Sequence, residues 1–185
     1  MRTFVAIEVV AQQYFAESLE RIKNELRFEQ IKWVDFKSLH LTLFFLGQTT
    51  HDDTELIEKI FNVQLSKLKR FKIQLKSYGT FGSKLNPKVL WVGVAVTDEL
   101  LELHQKVNES IQNIGFVPDV RGFNPHITIG RIKQVGNVNL INGVLMEYAN
   151  SIFQEIVVDK VILYRSDSSP SGVIYTPIIS QELEG

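Results

Sequence analysis

Apolar residues along this chain change rhythm in a way that marks out its elements. Phe4–Val10 is apolar and β-rich apart from Glu8 and predicts a strand. From about Gln12 to Phe28 the apolar positions Phe15, Leu19, Ile22 and Leu26 fall three and four residues apart, which is one buried face of a helix. Ile31–Phe36 reads as a short strand or turn leading into a strand over Leu39–Leu46. The stretch Asp52–Leu65 predicts a second helix, with Leu56, Ile57, Ile60 and Phe61 inward and Asp52 or Asp53 as its cap. Phe71–Tyr78 alternates Phe71, Ile73 and Leu75 against Lys72, Gln74 and Lys76, a half-buried strand, and a turn-rich segment with Gly79, Gly82, Asn86 and Pro87 follows.

The order then begins again. Leu90–Val96 predicts a strand, and Asp98–Ile114 a helix with Leu101, Val107 and Ile111 among its apolar positions. A loop through Pro118 and Gly122 leads to a strand over His126–Ile132. A weaker helix follows over Val138–Tyr148, then strands near Phe153–Leu163 and Val173–Ile179. Both halves read strand, helix, strand, helix, strand. The opening strands at Phe4 and Leu90 stand 90 − 4 = 86 residues apart, and so do His40 and His126, 126 − 40 = 86. Two landmarks in one register point to an internal duplication with half-repeats 1–86 and 87–185 inside one two-lobed domain, 1–185.

The repeated strands share a chemical pattern. His40-Leu41-Thr42-Leu43 and His126-Ile127-Thr128-Ile129 are each a histidine, an apolar residue, a threonine and an apolar residue, in a chain with 4 histidines. Alternation along a strand puts His and Thr on one face and the apolar pair in the core. A pseudo-twofold fold would bring both imidazoles to opposite sides of one groove. His51, in a polar loop entry, and His104, on a helix, are expected to be structural.

Composition narrows the chemistry. With 44% apolar and 22% charged residues the chain matches an ordinary soluble domain. It has no cysteine, which excludes disulfides, thiolate metal sites and cysteine nucleophiles. The amino-terminal run meets Glu8 too early for a signal peptide, and no apolar run approaches the roughly 20 residues of a membrane span, so a cytoplasmic protein is expected. The net charge of −1 conceals a stretch, Lys59 to Thr97, with basic residues and no acidic one. Such a surface is compatible with a nucleic-acid substrate or with a solvated face.

Two facing histidines supply a general base and a general acid in one turnover, because neutral and protonated imidazole both exist near neutral pH. Phosphodiester cleavage asks for that pair on opposite sides of phosphorus. Threonine hydroxyls on the same face would donate to the non-bridging oxygens. Neither motif has a third metal ligand at suitable spacing, so no metal or other cofactor is expected. A Gly-x-Ser-x-Gly elbow is absent from the sequence.

These motifs and their flanks, RTFVAIEV, IKWVDFKSLHLTLFFLG, YGTFGSKLNPKVLWVGV, RGFNPHITIGR and LYRSDSSPSGVIYTPI, resemble the two-histidine phosphoesterase superfamily. Within it the chain is similar to the RNA 2′,3′-cyclic phosphodiesterases formerly called 2′-5′ RNA ligases. The resemblance implies a bilobal α+β fold with two antiparallel sheets lining a groove and helices outside. It implies hydrolysis of a 2′,3′-cyclic phosphate at an RNA end to a 2′-phosphomonoester, with RNA as the partner and a monomer sufficient. It assigns His40 as the acid protonating the departing O3′ and His126 as the base activating water, roles that pseudo-symmetry makes interchangeable in the sequence. It assigns Thr42 and Thr128 to phosphate binding.

The family also places a basic residue five positions after the second histidine, here Arg131, a substrate-binding candidate whose guanidinium suits phosphate recognition. Strict alternation aims Arg131 away from His126, unless Gly130 permits a bulge or the strand ends there; otherwise it is a surface charge. Phe44, on the His40 face of a regular strand, and Phe81, Trp33 and Tyr78 are candidates to stack on a base, with little base preference expected. Two other readings stay open. One is the same chemistry on small cyclic nucleotides or 2′-5′-linked oligonucleotides, the other a non-catalytic RNA-binding module.

Overall fold

The structure is a computed structural model that describes residues 1–118, 122–170 and 172–185. Arg121, which opens the quoted RGFNPHITIGR phrase, and Ser171, in the last quoted phrase, lie outside the described residues. The fold is α+β, with two antiparallel sheets. The first contains β1 (Arg2–Glu8), β3 (His40–Gln48), β8 (Lys160–Ser169) and β9 (Gly172–Glu182), in the order β3-β1-β8-β9. The second contains β2 (Gln30–Trp33), β4 (Phe71–Ser83), β5 (Asn86–Val94), β6 (His126–Gln134) and β7 (Ile152–Val158), in the order β2-β6-β5-β4-β7. Four α-helices, α1 (Gln13–Glu25), α2 (His51–Gln64), α3 (Asp98–Gln112) and α4 (Val138–Glu147), and a short 3-10 helix, Phe36–Ser38, lie among the described residues.

The 86-residue spacing recurs between elements. β3 begins at residue 40 and β6 at 126, and they end at 48 and 134. The pairs β1 and β5, α1 and α3, and α2 and α4 fall close to the same offset. Each sheet nevertheless mixes strands from both halves of the sequence. β4 joins the sheet of β5 and β6, while β8 and β9 join that of β1 and β3.

Helix faces follow the apolar spacing. α1 buries Phe15, Leu19 and Ile22, and α3 buries Leu100, Leu103, Val107 and Ile111. Leu101, one position off that stripe, is exposed. α2 corrects its expected cap. Thr50 is the N-cap, its hydroxyl accepting from the Asp53 amide at 3.1 Å while the Asp53 carboxylate accepts from the Thr50 amide at 2.7 Å. Ile57 and Phe61 point inward as expected, Ile60 is half-buried, and Leu56 is exposed.

Two other expectations change. The segment expected to be turn-rich is a long hairpin, β4–β5, turning at residues 84–85. The run Phe153–Leu163 breaks at Asp159 into β7 and β8, which belong to different sheets. One continuous core joins apolar side chains of both sheets with all four helices. No helix among the described residues is long and apolar enough to cross a membrane.

Candidate active site

The histidine strands alternate in burial as their pattern requires. His40 and Thr42 are half-buried, whereas Leu41 and Leu43 lie in the core, and His126, Thr128, Ile127 and Ile129 repeat the arrangement. Each histidine faces away from the helix-covered core. His40 packs against Phe4 (centroids 4.9 Å apart) and edge-on to Tyr175 (5.0 Å). His126 stands at 90° to Phe81, 4.7 Å away.

Both imidazoles are held by one device. His40 Nδ1 donates to the Ser38 carbonyl at 2.7 Å, and His126 Nδ1 donates to the Asn124 carbonyl, also at 2.7 Å. A carbonyl oxygen only accepts, so Nδ1 carries a proton in each ring and Nε2 is the ring nitrogen not engaged by that bond. Ser38 and Asn124 are themselves 124 − 38 = 86 residues apart. These carbonyls were not foreseen from sequence, although the position two residues before each histidine was there to be compared.

A β-bulge settles where Arg131 points. Across the β5–β6 ladder Trp91 faces Thr128 and Leu90 faces Gly130, which leaves Ile129 as the extra residue. The parity of β6 flips there: Ile129 and then Ile132 are buried, while Arg131 is exposed on the face of His126 and Thr128. A Cβ on Gly130 would meet Ile31 Cγ2 at 2.9 Å and the Trp33 ring at 3.1 Å, so the close approach of β2 requires glycine. Lys32 of β2 is the ladder partner of Arg131, a cation that the sequence reading passed over.

The first strand carries the same bulge. Ala6 faces Thr42 and Val5 faces Phe44, leaving Leu43 extra, and 129 − 43 = 86. This overturns the expectation for Phe44, which is buried in the core. Phe45 takes the His40 face instead, 58% exposed and 5.7 Å from Phe4. Of the other aromatic candidates, Phe81 lies at the site. Trp33 packs against the core, and Tyr78 is buried with its hydroxyl 2.6 Å from that of Ser18.

The symmetry is broken across the ladders. His40 faces Glu8 and Thr42 faces Ala6, but His126 faces Gly93 and Thr128 faces Trp91. In pairing register β1 and β5 are therefore related by 91 − 6 = 85 residues, one fewer than the histidines.

The two sides share an electrostatic environment. Burial lowers the pKa of His40 below the ordinary imidazole value; its bond to Ser38 opposes this, and the positive charges of Arg131 and His126 lower it further. Threonine hydroxyls at both sites have no protein partner among the described residues. Nor do three or more His, Asp or Glu side chains gather into a metal-binding group among those residues. His51 lies 3.5 Å from Glu55 on exposed helix surface, and His104 stacks on Phe123 at 3.7 Å. The arrangement can take a proton on one side of a bound group and give one on the other.

Comparison with known proteins agrees in sequence and in shape. A family profile described as 2′-5′ RNA ligase superfamily matches residues 12–169. The chain is 33% identical over 178 residues to an RNA 2′,3′-cyclic phosphodiesterase of Methanocaldococcus jannaschii, covering 96% of this chain and 98% of that protein. It is 32% identical to one from Thermotoga maritima, over 100% of this chain and 97% of the other. The crystal structure of TT0787 of Thermus thermophilus superposes with a TM-score of 0.82 at 23% identity, covering 100% and 99% of the two chains.

Proposed function

The chain belongs to the 2′-5′ RNA ligase superfamily, and on that premise we propose that it hydrolyses 2′,3′-cyclic phosphate ends of RNA to 2′-phosphomonoesters without a metal ion. His126 takes a proton from water through Nε2. The water oxygen forms its bond to phosphorus as the bond from phosphorus to O3′ breaks, and His40 gives its Nε2 proton to O3′. Thr42 and Thr128 donate to the non-bridging oxygens, and Arg131 adds its charge where negative charge gathers. Phe45 offers a stacking surface for the terminal base. The whole site sits in one domain, residues 1–185, whose half-repeats 1–86 and 87–185 share the groove, and a single chain supplies every group.

The observation that carries this reading is the matched anchoring of two imidazoles. Each is fixed by Nδ1 on the carbonyl two residues before it, with Nε2 left free. One such histidine has many structural uses. Two on equivalent strands, with Arg131 on the His126 strand in electrostatic reach of His40, suit an acid–base pair around a phosphate.

The test uses a short RNA ending in a 2′,3′-cyclic phosphate, incubated with the protein in excess EDTA. Conversion to a 2′-phosphate end is expected, with His40→Ala and His126→Ala each losing about 10²–10⁴-fold in kcat. Bis(4-nitrophenyl) phosphate separates the two roles, because its leaving group departs without protonation. On it His40→Ala keeps far more of its activity than His126→Ala. No conversion by the parent protein, or conversion indifferent to both substitutions, overturns the proposal.

A further inference from the structure

Beyond His40, at the end of β3 away from Thr42, the face of the first sheet opens into a recess of about 290 Å³. Its floor is aromatic, made by Phe4, Tyr164 and Tyr175; His40 packs against Phe4 and Tyr175, and Tyr164 stacks on Phe4. Its rim is polar and carries Lys37, Lys160, Glu8 and Ser180. Lys160 is held by Glu8 at 3.3 Å, whereas Lys37 is exposed with no acidic partner among the described residues, so the rim is net positive. Neither Thr42 nor Phe45 lines it.

The other half of the site is filled at the corresponding place. Gly93 faces His126 as the recess residue Glu8 faces His40, and the ring of Trp91 comes within 3.4 Å of where a Cβ on Gly93 would stand. The Trp91 ring occupies the space a Cβ on Gly79 would need, and Phe81 packs against both Trp91 and His126. The recess is thus a departure from the pseudo-twofold plan, not a by-product of it.

A cyclic phosphate between the two imidazoles places its ribose on the side of the acid, because the departing O3′ belongs to that ribose. With the terminal base on Phe45, the recess on the far side of His40 is free for what an oligonucleotide has and a mononucleotide lacks. We propose that it binds the nucleotide immediately 5′ to the cyclic phosphate end, its base against Tyr175 and Pro177 and its linking phosphate on Lys37 and Lys160. This rests on the function proposed above and narrows its substrate: the protein prefers RNA ends to free cyclic mononucleotides. Stacking and a charged rim are the recognition chemistry of single-stranded RNA, tolerant of base identity.

The experiment compares adenosine 2′,3′-cyclic phosphate with the dinucleotide ApA ending in the same cyclic group. The ratio of their kcat/KM values is the readout, in the parent protein, in Lys37→Ala and in Ser180→Trp, which fills the recess from β9. The parent is expected to favour the dinucleotide by about tenfold or more, as one stacked base implies, and each substitution brings the ratio toward one. General damage to the fold or to His40 lowers both rates and leaves the ratio alone. A parent ratio near one, or a ratio that survives both substitutions, overturns the proposal. Should the parent hydrolyse neither substrate, the functional reading fails. Calorimetric affinities for ApA bearing a terminal 2′-phosphate against adenosine 2′-phosphate then decide the recess by the same comparison.

Discussion

His40 and His126 are anchored alike and surrounded differently, and the surroundings of His40 govern how it titrates. Burial holds His40 below the ordinary imidazole pKa, and the guanidinium of Arg131 and the neighbouring His126 push in the same direction. In the free protein His40 therefore loses its proton at lower pH than an exposed histidine, and the general acid proposed above must be protonated. A bound cyclic phosphate supplies an anion beside it and favours the imidazolium. The alkaline limb of kcat/KM, which reports the free protein, should therefore lie at lower pH than that of kcat. Replacing Arg131 with Met removes one cause of the depression. The His40 titration followed by NMR in the ligand-free protein should then move up in pH, and the alkaline limb of kcat/KM with it, while KM rises. A titration that stays in place or moves down would show that Arg131 does not face His40 in solution.

At the scale of the elements, bulges and close approaches aim these residues. Gly79 of β4 is glycine because the Trp91 ring takes the space of its Cβ, at 2.3 Å from an ideal position, with no unusual backbone angle involved. Gly79→Ala must push Trp91 off the ladder beside Thr128, and should cost about 1–3 kcal/mol by overpacking, read by urea unfolding, together with a loss of kcat. Wild-type stability in that variant would mean the ring has room to move. The sequence made much of this level legible, since the helix stripes of α1 and α3 and the inward and outward alternation at His40 and His126 depend on neighbours in the chain. What it hid depends on pairing across the sheet. An unpaired Leu43 or Ile129 flips the parity of everything after it, so Phe44 entered the core, Phe45 took its place, and Arg131 turned toward the site. The break at Asp159 was equally invisible, because β7 and β8 are both apolar and only their partners differ. Thr50 was overlooked as a cap in favour of the acids beside it, though the Thr-x-x-Asp spacing is a capping box in outline.

For the molecule as a whole the question is which charges an RNA strand meets. The long basic run in the sequence suggests itself, yet four of its cations lie together at another place. Lys67, Lys69, Arg70 and Lys72 line a separate cavity of about 810 Å³ with Glu99 and Glu102, which shares no residue with the recess beside His40, and Lys72 is paired with Glu155 at 2.8 Å. Of that run Lys76 does stand on the face of His126, since both pair with Gly93. The other cations on the histidine faces come from elsewhere in the chain: Arg131 and Lys32 on paired strands, and Lys37 and Lys160 at the recess. Counterion release makes the two sets separable, because each phosphate contact on a single strand contributes about 0.7 to the slope of log affinity against log salt. With an RNA oligomer, Arg131→Met should flatten the salt dependence of binding by about that amount. The double substitution Lys67→Ala with Lys69→Ala should leave the slope where it was. If the double variant flattens it and Arg131→Met does not, the strand runs over the basic cavity, and the groove holds the phosphate end alone.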